Sequence, residues 1–557
     1  MKKTGRFLTK AGLARTSGSM DPDASGGTAR NASRRAFLTV LAAGAGGLIP
    51  GSAPAGASAR SRVSDSFPAS SGTAYRRLRG DPFELGVASG DPTTDGIVLW
   101  TRLALDPVAP DGLGGMPSRP VEVEWQLAAD ERFAAVLASG TAIARSAAAH
   151  SVHVEVDGLA PGREYFYRFR AEGHVSPAGR TRTAPVGTTP LTFAVAACAH
   201  WEHGHFTAYR RMTEQEPDLV VHLGDYMYEY PPDGYTAVSG SVRSFAGSTC
   251  RTLADYRLRH AQYKSDPDLR AAHRAAPWLV ALDDHEIENN WAASASSTGA
   301  PGFHERRAHA FRAYYENMPL RRSSVPTGAR IRVNRRLAWG GLASFHLLDT
   351  RQFRDDQACQ DGARAGCDER LDDRRTILGD EQRRWLLDGL ARSEARWNLI
   401  GQQVLMAQRD LREGPGRELN MDGWDGYPAD RARLLRGIRA GGAANPVVLT
   451  GDAHMHHAAV LREDFDDPDA PAAAVELVAS SVSSDGDGYR DEARIAEMLR
   501  ENPHISYIDQ RRGYILCRLT PEELRAEFRT LEYVSRRGAP ARTSARFSVP
   551  AGRSALE

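Results

Sequence analysis

The sequence predicts an α/β fold: a two-layer β-sandwich domain flanked by helices, preceded by a small all-β sandwich of fibronectin or immunoglobulin type. Three observations carry this reading. Over residues 83–171, short runs alternate polar and apolar side chains between Gly/Pro turns, the period of half-buried antiparallel strands. Over residues 191–230 the pattern becomes strand, helix, strand. Further short buried runs then recur between helical stretches, several of them ending in residues able to hold a cation.

A chain of 557 residues with 41% hydrophobic and 25% charged residues has ordinary globular composition and room for two or more cored domains. Lys+Arg 71 against Asp+Glu 70 leaves a net charge of +1, so no field draws it to polyanions and no nucleic-acid-binding module is expected. None of the five cysteines shows CxxC or zinc-finger spacing. Cys359 and Cys367 flank a polar loop and could close a small disulfide in an oxidising compartment, whereas Cys517 lies in an apolar run and reads as a buried thiol.

Residues 1–60 read as a twin-arginine export signal: Ser-Arg-Arg-Ala-Phe-Leu at 33–38, an uncharged run to Ile49, then Ala57-Ser58-Ala59. The expected partner is the twin-arginine export machinery, and the expected location is secreted, periplasmic or cell-surface. The apolar run is about half the length that spans a bilayer, so no integral span is expected after signal removal. Residues 61–79 form a flexible lead-in, and residues 80–187 the β-sandwich, a scaffold. Leu159-Ala160-Pro161-Gly162 before Tyr165 resembles the corner that introduces a late strand in such sandwiches.

Residues 188–550 form the second domain. Residues 192–197 and 218–223 are β-rich apolar runs, and Phe206, Tyr209 and Met212 recur between them at helical spacing, so a right-handed βαβ unit is expected. It sets Cys198 and Asp225 side by side at the carboxyl edge of a parallel sheet, where ligands bind in open α/β folds. A helix is expected over 252–275. The strand at 278–282 runs directly into Asp283-Asp284-His285-Glu286, with Asn289 and Asn290 beyond. Strands at 342–348 and 397–403 end in Asp349-Thr350-Arg351 and in paired glutamines, and a helix spans 380–393. The strand at 446–450 ends in Gly451-Asp452-Ala453-His454, where the glycine is expected to let backbone approach an ion. The final runs, from residue 475 onward, alternate as strands of a partly antiparallel sheet.

Ala197-Cys198-Ala199-His200, Leu223-Gly224-Asp225-Tyr226-Met227-Tyr228-Glu229, the Asp-Asp-His-Glu-x-x-x-Asn run at 283–290 and Gly451-Asp452-Ala453-His454 appear in this order after a small β-domain. Together they resemble the PhoD-type alkaline phosphatases of the calcineurin-like metallophosphatase superfamily. The resemblance covers nearly the whole mature chain. It implies a secreted metal-dependent alkaline phosphatase that hydrolyses phosphomonoesters and phosphodiesters through a metal-activated hydroxide. It further implies Fe3+ held by Cys198, Asp225, Tyr228 and His454. One or two Ca2+ would share Asp225 and be completed by Asp284, Asn289 or Asn290, and Asp452. His285 is then a ligand, a proton donor or a supporting residue, and His200 is the best candidate for substrate contact. For His203, His205, His222, His456 and His457 a packed or solvated role is preferred. Arg351 could clamp phosphate oxygens, and Trp424, Asp425 and Tyr427 could cap the site. The rival readings are a phospholipase D-like phosphodiesterase and, remotely, a non-catalytic binding protein with a relict fold. A monomer is expected.

Overall fold

The computed structural model describes residues 77–557, so the export signal at 1–60 and most of the lead-in lie outside the described residues. The strands Val121–Ala128, Val136–Ala144 and Glu164–Ala171 pair in one antiparallel sheet. It faces a second layer made of Val87–Gly90, Ile97–Arg102 and Ser151–Val156. Every second residue points inward, so Leu99, Val123, Leu127, Val154, Tyr167 and Phe169 fill one core between the layers. The expected corner is present: the Tyr165 hydroxyl accepts from Ala160 N–H at 2.9 Å and donates to Ala160 C=O at 3.1 Å.

The second layer continues beyond this core. Gly90 pairs in parallel with Trp278, which joins these three strands to the large sheet of the following domain. A side chain at Gly90 would come within 2.4 Å of the Pro319 carbonyl oxygen, so the junction requires glycine. An ion pair reinforces it: Arg335 pairs with Asp91 at 2.7 Å.

The large sheet has nine strands in all. At its centre Leu191–Ala196, Leu219–His222 and Trp278–Val280 lie parallel, flanked on one side by Gly513–Leu519, Glu523–Leu531 and Ala541–Pro550. A seven-stranded sheet packs against it, with Ala343–Leu347, Trp397–Gln402, Pro446–Thr450 and Ala472–Val478 parallel at its centre. Alternation decides the layers. Phe193, Val195, Val221, Leu399 and Leu449 meet between the sheets, whereas Ala194 and Val220 face one helical layer and Ile400 and Val448 the other. Each such side chain taken fully from water contributes roughly 1.5–3 kcal/mol.

The helix expected over 252–275 is two helices, Leu253–Lys264 and Pro267–Ala275. Pro267 disfavours helical backbone at Asp266, whose carboxylate instead caps the second helix by accepting from Asp268 and Leu269 N–H. Among the described residues no helix is long and apolar enough to cross a membrane.

Candidate metal centre and active site

The parallel strands of both sheets end on one side of the molecule, and their carboxyl ends supply the site. Three neighbouring strands of the large sheet bring Cys198, Asp225 and Asp284 together. The facing sheet brings Asp452 and His454. Donor atoms of Cys198, Asp225 and His454 lie within 4.8 Å of one another, as do those of Asp225, Asp284 and His285, and those of Asp283, Asp284 and Asp452. Asp225 belongs to the first two groups, so the donor set is continuous around it.

The backbone at these positions is unusual. Cys198, Asp225, Asn290, Asp452 and His454 all have left-handed φ, from 49° to 60°, which costs a non-glycine residue of order 1–3 kcal/mol each. The turns are tight because neighbouring strand ends and the facing sheet both crowd them. A side chain at Gly224 would meet Asp283 Cβ at 2.5 Å, and one at Gly451 would meet Ala197 Cβ at 2.8 Å. Gly451 is thus required by packing against the opposite sheet.

A ring of partners aims the donors. Asp485 Oδ2 lies 2.8 Å from His454 Nδ1, which leaves Nε2 facing the cluster, 3.1 Å from the Tyr228 hydroxyl. Tyr228 also donates to Asp225 Oδ2 at 3.0 Å. Glu286 accepts backbone N–H from Asp283, Asp225 and Tyr226 at 2.7, 3.1 and 2.6 Å, tying two strand ends together. Glu229 receives His285 Nδ1 at 2.9 Å and Asn289 N–H at 2.9 Å. Asn290 donates from Nδ2 to Asp361 at 2.7 Å, which leaves its amide oxygen available as an acceptor.

The charges are those of a site built for a cation. Burial, reinforced by neighbouring carboxylates, raises the Asp225 and Asp452 carboxyls above the ordinary range, and burial together with Asp225 raises the Cys198 thiol. For His285, burial disfavours the charged ring, but Asp284, Asp225 and Glu229 outweigh it and raise its pKa well above the usual value. Thiol, phenol, imidazole and carboxylate donors this close, in protonation states that a cation would reverse, fit metal binding.

Several expectations change. Arg351 is fully buried and does not line the pocket above the cluster. It donates to Asp283, Asp422 and Asp284 at 2.6, 2.8 and 3.2 Å and reaches Asp452 at 3.5 Å, so it holds the carboxylates rather than offering a free clamp. His200 is buried behind Tyr228, stacked on His203, with neither ring nitrogen partnered, and it does not line the pocket. Trp424 and Tyr427 are core residues, not a lid: Trp424 donates to Gln402 and Tyr427 to the Asp355 carbonyl. Asp425 does reach the pocket and pairs with Arg431 at 2.7 Å. His203 and His222 are packed, as preferred. The sequence reading missed Asp485, Asp422 and the roles of Glu229 and Glu286. An aspartate beside glycine in a long polar loop, Ser483-Ser484-Asp485-Gly486 or Met421-Asp422-Gly423, was the available signal.

The pocket above the cluster has a volume of about 530 Å³. Asp225, Asp284, His285, Asn289, Asn290, Asp452 and His454 form its floor, while Tyr230, Tyr235, Tyr489, Leu405 and Arg409 line it too. No residue of 80–187 lines it, in keeping with a scaffold role for that segment.

Two face-to-face sheets that share one edge carrying buried thiol, carboxylate and imidazole donors define a metal-dependent hydrolase. Residues 193–528 match the family model for PhoD-like phosphatase, and residues 69–185 match that for the PhoD-like phosphatase N-terminal domain. The chain is 46% identical over 471 residues to alkaline phosphatase D of Bacillus subtilis (strain 168), covering 84% of this chain and 80% of that protein. The solved "Structure of PhoD" superposes with a TM-score of 0.84 at 45% identity, covering 87% of this chain and 93% of that one. The chain belongs to the PhoD-like phosphatase family and is a phosphoric ester hydrolase on a metallophosphatase fold.

Proposed function

We propose that the chain is an exported monomeric phosphatase acting on phosphomonoesters and phosphodiesters at a centre of one Fe3+ and one or two Ca2+. The observation that carries this is the two-sided donor set around Asp225. On one side stand Cys198, Tyr228 and His454, anionic or imidazole donors suited to a trivalent ion. On the other stand Asp284, Asp452, Asn289 and Asn290, hard oxygen donors suited to calcium. Bound there, the ions would supply Lewis-acid charge for the transferring phosphoryl group and acidify water.

The chain's own residues do the rest. Asp485 and Glu229 fix the rings of His454 and His285. His285, its ring fixed through Nδ1 by Glu229, stands at the pocket floor, placed to donate a proton to the leaving oxygen. Arg351 keeps Asp283, Asp284 and Asp452 in register.

Export through the twin-arginine route rests on residues 33–59 and is supported by the Cys359–Cys367 disulfide, a bond of oxidising compartments. Replacing Arg34 and Arg35 with lysine should retain the protein in the cytoplasm; unchanged export would rule the route out.

The centre is tested by purifying the exported protein without added metal, recording its visible spectrum and metal content, and assaying p-nitrophenyl phosphate, a bis-ester and phosphatidylcholine with and without calcium. A colourless, iron-free and fully active enzyme refutes the ferric assignment. The phospholipase reading gains no apolar surface here: among the large exposed hydrophobic residues described, Tyr489, 64% exposed, is the one that lines the pocket.

A further inference from the structure

Three arginines stand at or near the pocket, and they differ in what their donors do. Arg351 is buried beneath it, committed to carboxylates. Arg512 lines the pocket, but its terminal nitrogens donate to Ser481 Oγ and to the Ser484 and Gln510 carbonyls. Arg409 also lines the pocket, and among the described residues no carboxylate lies within 4 Å of its guanidinium. Only Nη1 is engaged, 3.2 Å from His457 Nε2 and 3.4 Å from Met455 Sδ. Nε and Nη2 have no protein partner, and neither is among the buried atoms that lack one, so both remain open to the pocket.

The segment that carries Arg409 is held firmly. Its own N–H donates to Asp425 Oδ2 at 3.0 Å, the next N–H donates to Asn502 at 2.7 Å, and the preceding carbonyl receives His504 Nε2 at 2.7 Å. His457, with Nδ1 3.3 Å from the Met455 carbonyl oxygen, presents Nε2 as the acceptor that orients the guanidinium. An arginine fixed in this way, with two adjacent donors free above a floor of carboxylates, is a preorganised anion site.

The relevant chemistry is the difference between two ester classes. A phosphomonoester near neutral pH carries close to two charges and three acceptor oxygens. Esterifying one of those oxygens leaves a diester with a single charge and one charged acceptor fewer. We propose that Arg409 is the residue that gives this site its capacity for monoesters, Nε and Nη2 donating to the extra charged oxygen that a diester lacks. The proposal rests on the phosphoester reading of the pocket and deepens it.

The test uses metal-loaded Arg409→Ala, Arg409→Lys and wild-type enzyme, with metal content and melting temperature measured first to show that fold and centre persist. For Arg409→Ala, kcat/KM on p-nitrophenyl phosphate should fall about 10- to 150-fold, the range for losing hydrogen bonds to a charged group. The value for bis(p-nitrophenyl) phosphate should change less than about threefold. The thermal stabilisation that inorganic phosphate gives the wild type should shrink in parallel with the monoester loss. Arg409→Lys, which keeps the charge without the fork, should recover part of the monoester activity. Equal losses on both esters, a larger loss on the diester, or unchanged phosphate stabilisation would each overturn the proposal. A wild type that hydrolyses neither ester would overturn the underlying phosphoester reading, an outcome visible before any variant is compared.

Discussion

Replacing Arg351 with methionine tests whether this arginine is a structural counter-charge or a substrate clamp. The side chain is fully buried, and its nitrogens lie between 2.6 and 3.5 Å from carboxylates of Asp283, Asp422, Asp284 and Asp452. Of these, Asp422 alone has a second arginine, Arg354 at 3.0 Å. Methionine retains much of the volume but leaves buried carboxylates without a cation, a change that costs about 3–5 kcal/mol. Unfolding as one cooperative unit of roughly 480 residues carries an entropy of about 1 kcal/mol/K, so the metal-free variant should melt about 3–5 °C below metal-free wild type. Loading the metals replaces the missing positive charge, so the gap should narrow in their presence. It should also narrow with falling pH. Burial alone would raise the Asp284 and Asp422 carboxyls, but Arg351, joined by His285 at Asp284 and by Arg354 and Gln357 at Asp422, outweighs it and holds both low. Stability from that depression is present above the unfolded aspartate pKa of about 3.9 and is lost as pH drops through the folded values. Calorimetry in chelator and in metal, from pH 2 to pH 8, reads all three effects. If the metal-free variant melts with wild type while KM for p-nitrophenyl phosphate rises tenfold or more, Arg351 is a clamp and the reasoning is refuted.

Asp485→Asn removes the carboxylate that orients His454 and should weaken retention of the metal held by His454 about 10- to 100-fold, read as metal content after dialysis against graded chelator; full retention would show that the pair is dispensable. Lys264→Met should stabilise the protein at pH 7, because the amine is buried among Tyr226, His273 and the Trp100 ring, and burial pushes its pKa well below the lysine value. The unfolded lysine binds more protons between the two pKa values, so wild-type stability rises with pH across that window and the advantage of methionine fades toward about pH 10.4; an advantage that does not vary with pH would contradict this. Serine at both Cys359 and Cys367 opens a short loop and should lower the melting temperature by about 2–3 °C, from roughly 2.5 kcal/mol of lost loop constraint. Because the same loop carries Asp361, the partner of Asn290, calcium affinity measured by titration calorimetry should fall as well; unchanged affinity would separate the loop from the site.

Much of the centre can be located from local pattern, and the reason is geometric. A short apolar run followed by a donor marks where a buried parallel strand ends, and such ends gather at one edge whatever the register, so Cys198, Asp225, Asp284, Asp452 and His454 could be grouped before any coordinates. Asp485, by contrast, follows a run whose first half alone is strand, Ala472–Val478; the serines after it already belong to a loop that folds back over Cys198. Nothing in the local period distinguishes those halves.

The sequence by itself determined the two-domain order, the strands whose alternation makes the cores, and the donors at their ends, because each follows from a period or a spacing within a few residues. Tertiary structure alone decided how those donors are charged and aimed. A long arginine can reach many partners, and Arg351 turned inward because the fold delivers four carboxylates from three distant segments to one buried point, whereas Arg409 meets none and stays open to the pocket. The need for glycine at 224, against the neighbouring strand end at Asp283, and at 451, against Ala197 of the facing sheet, likewise arises only when distant segments meet at the shared edge.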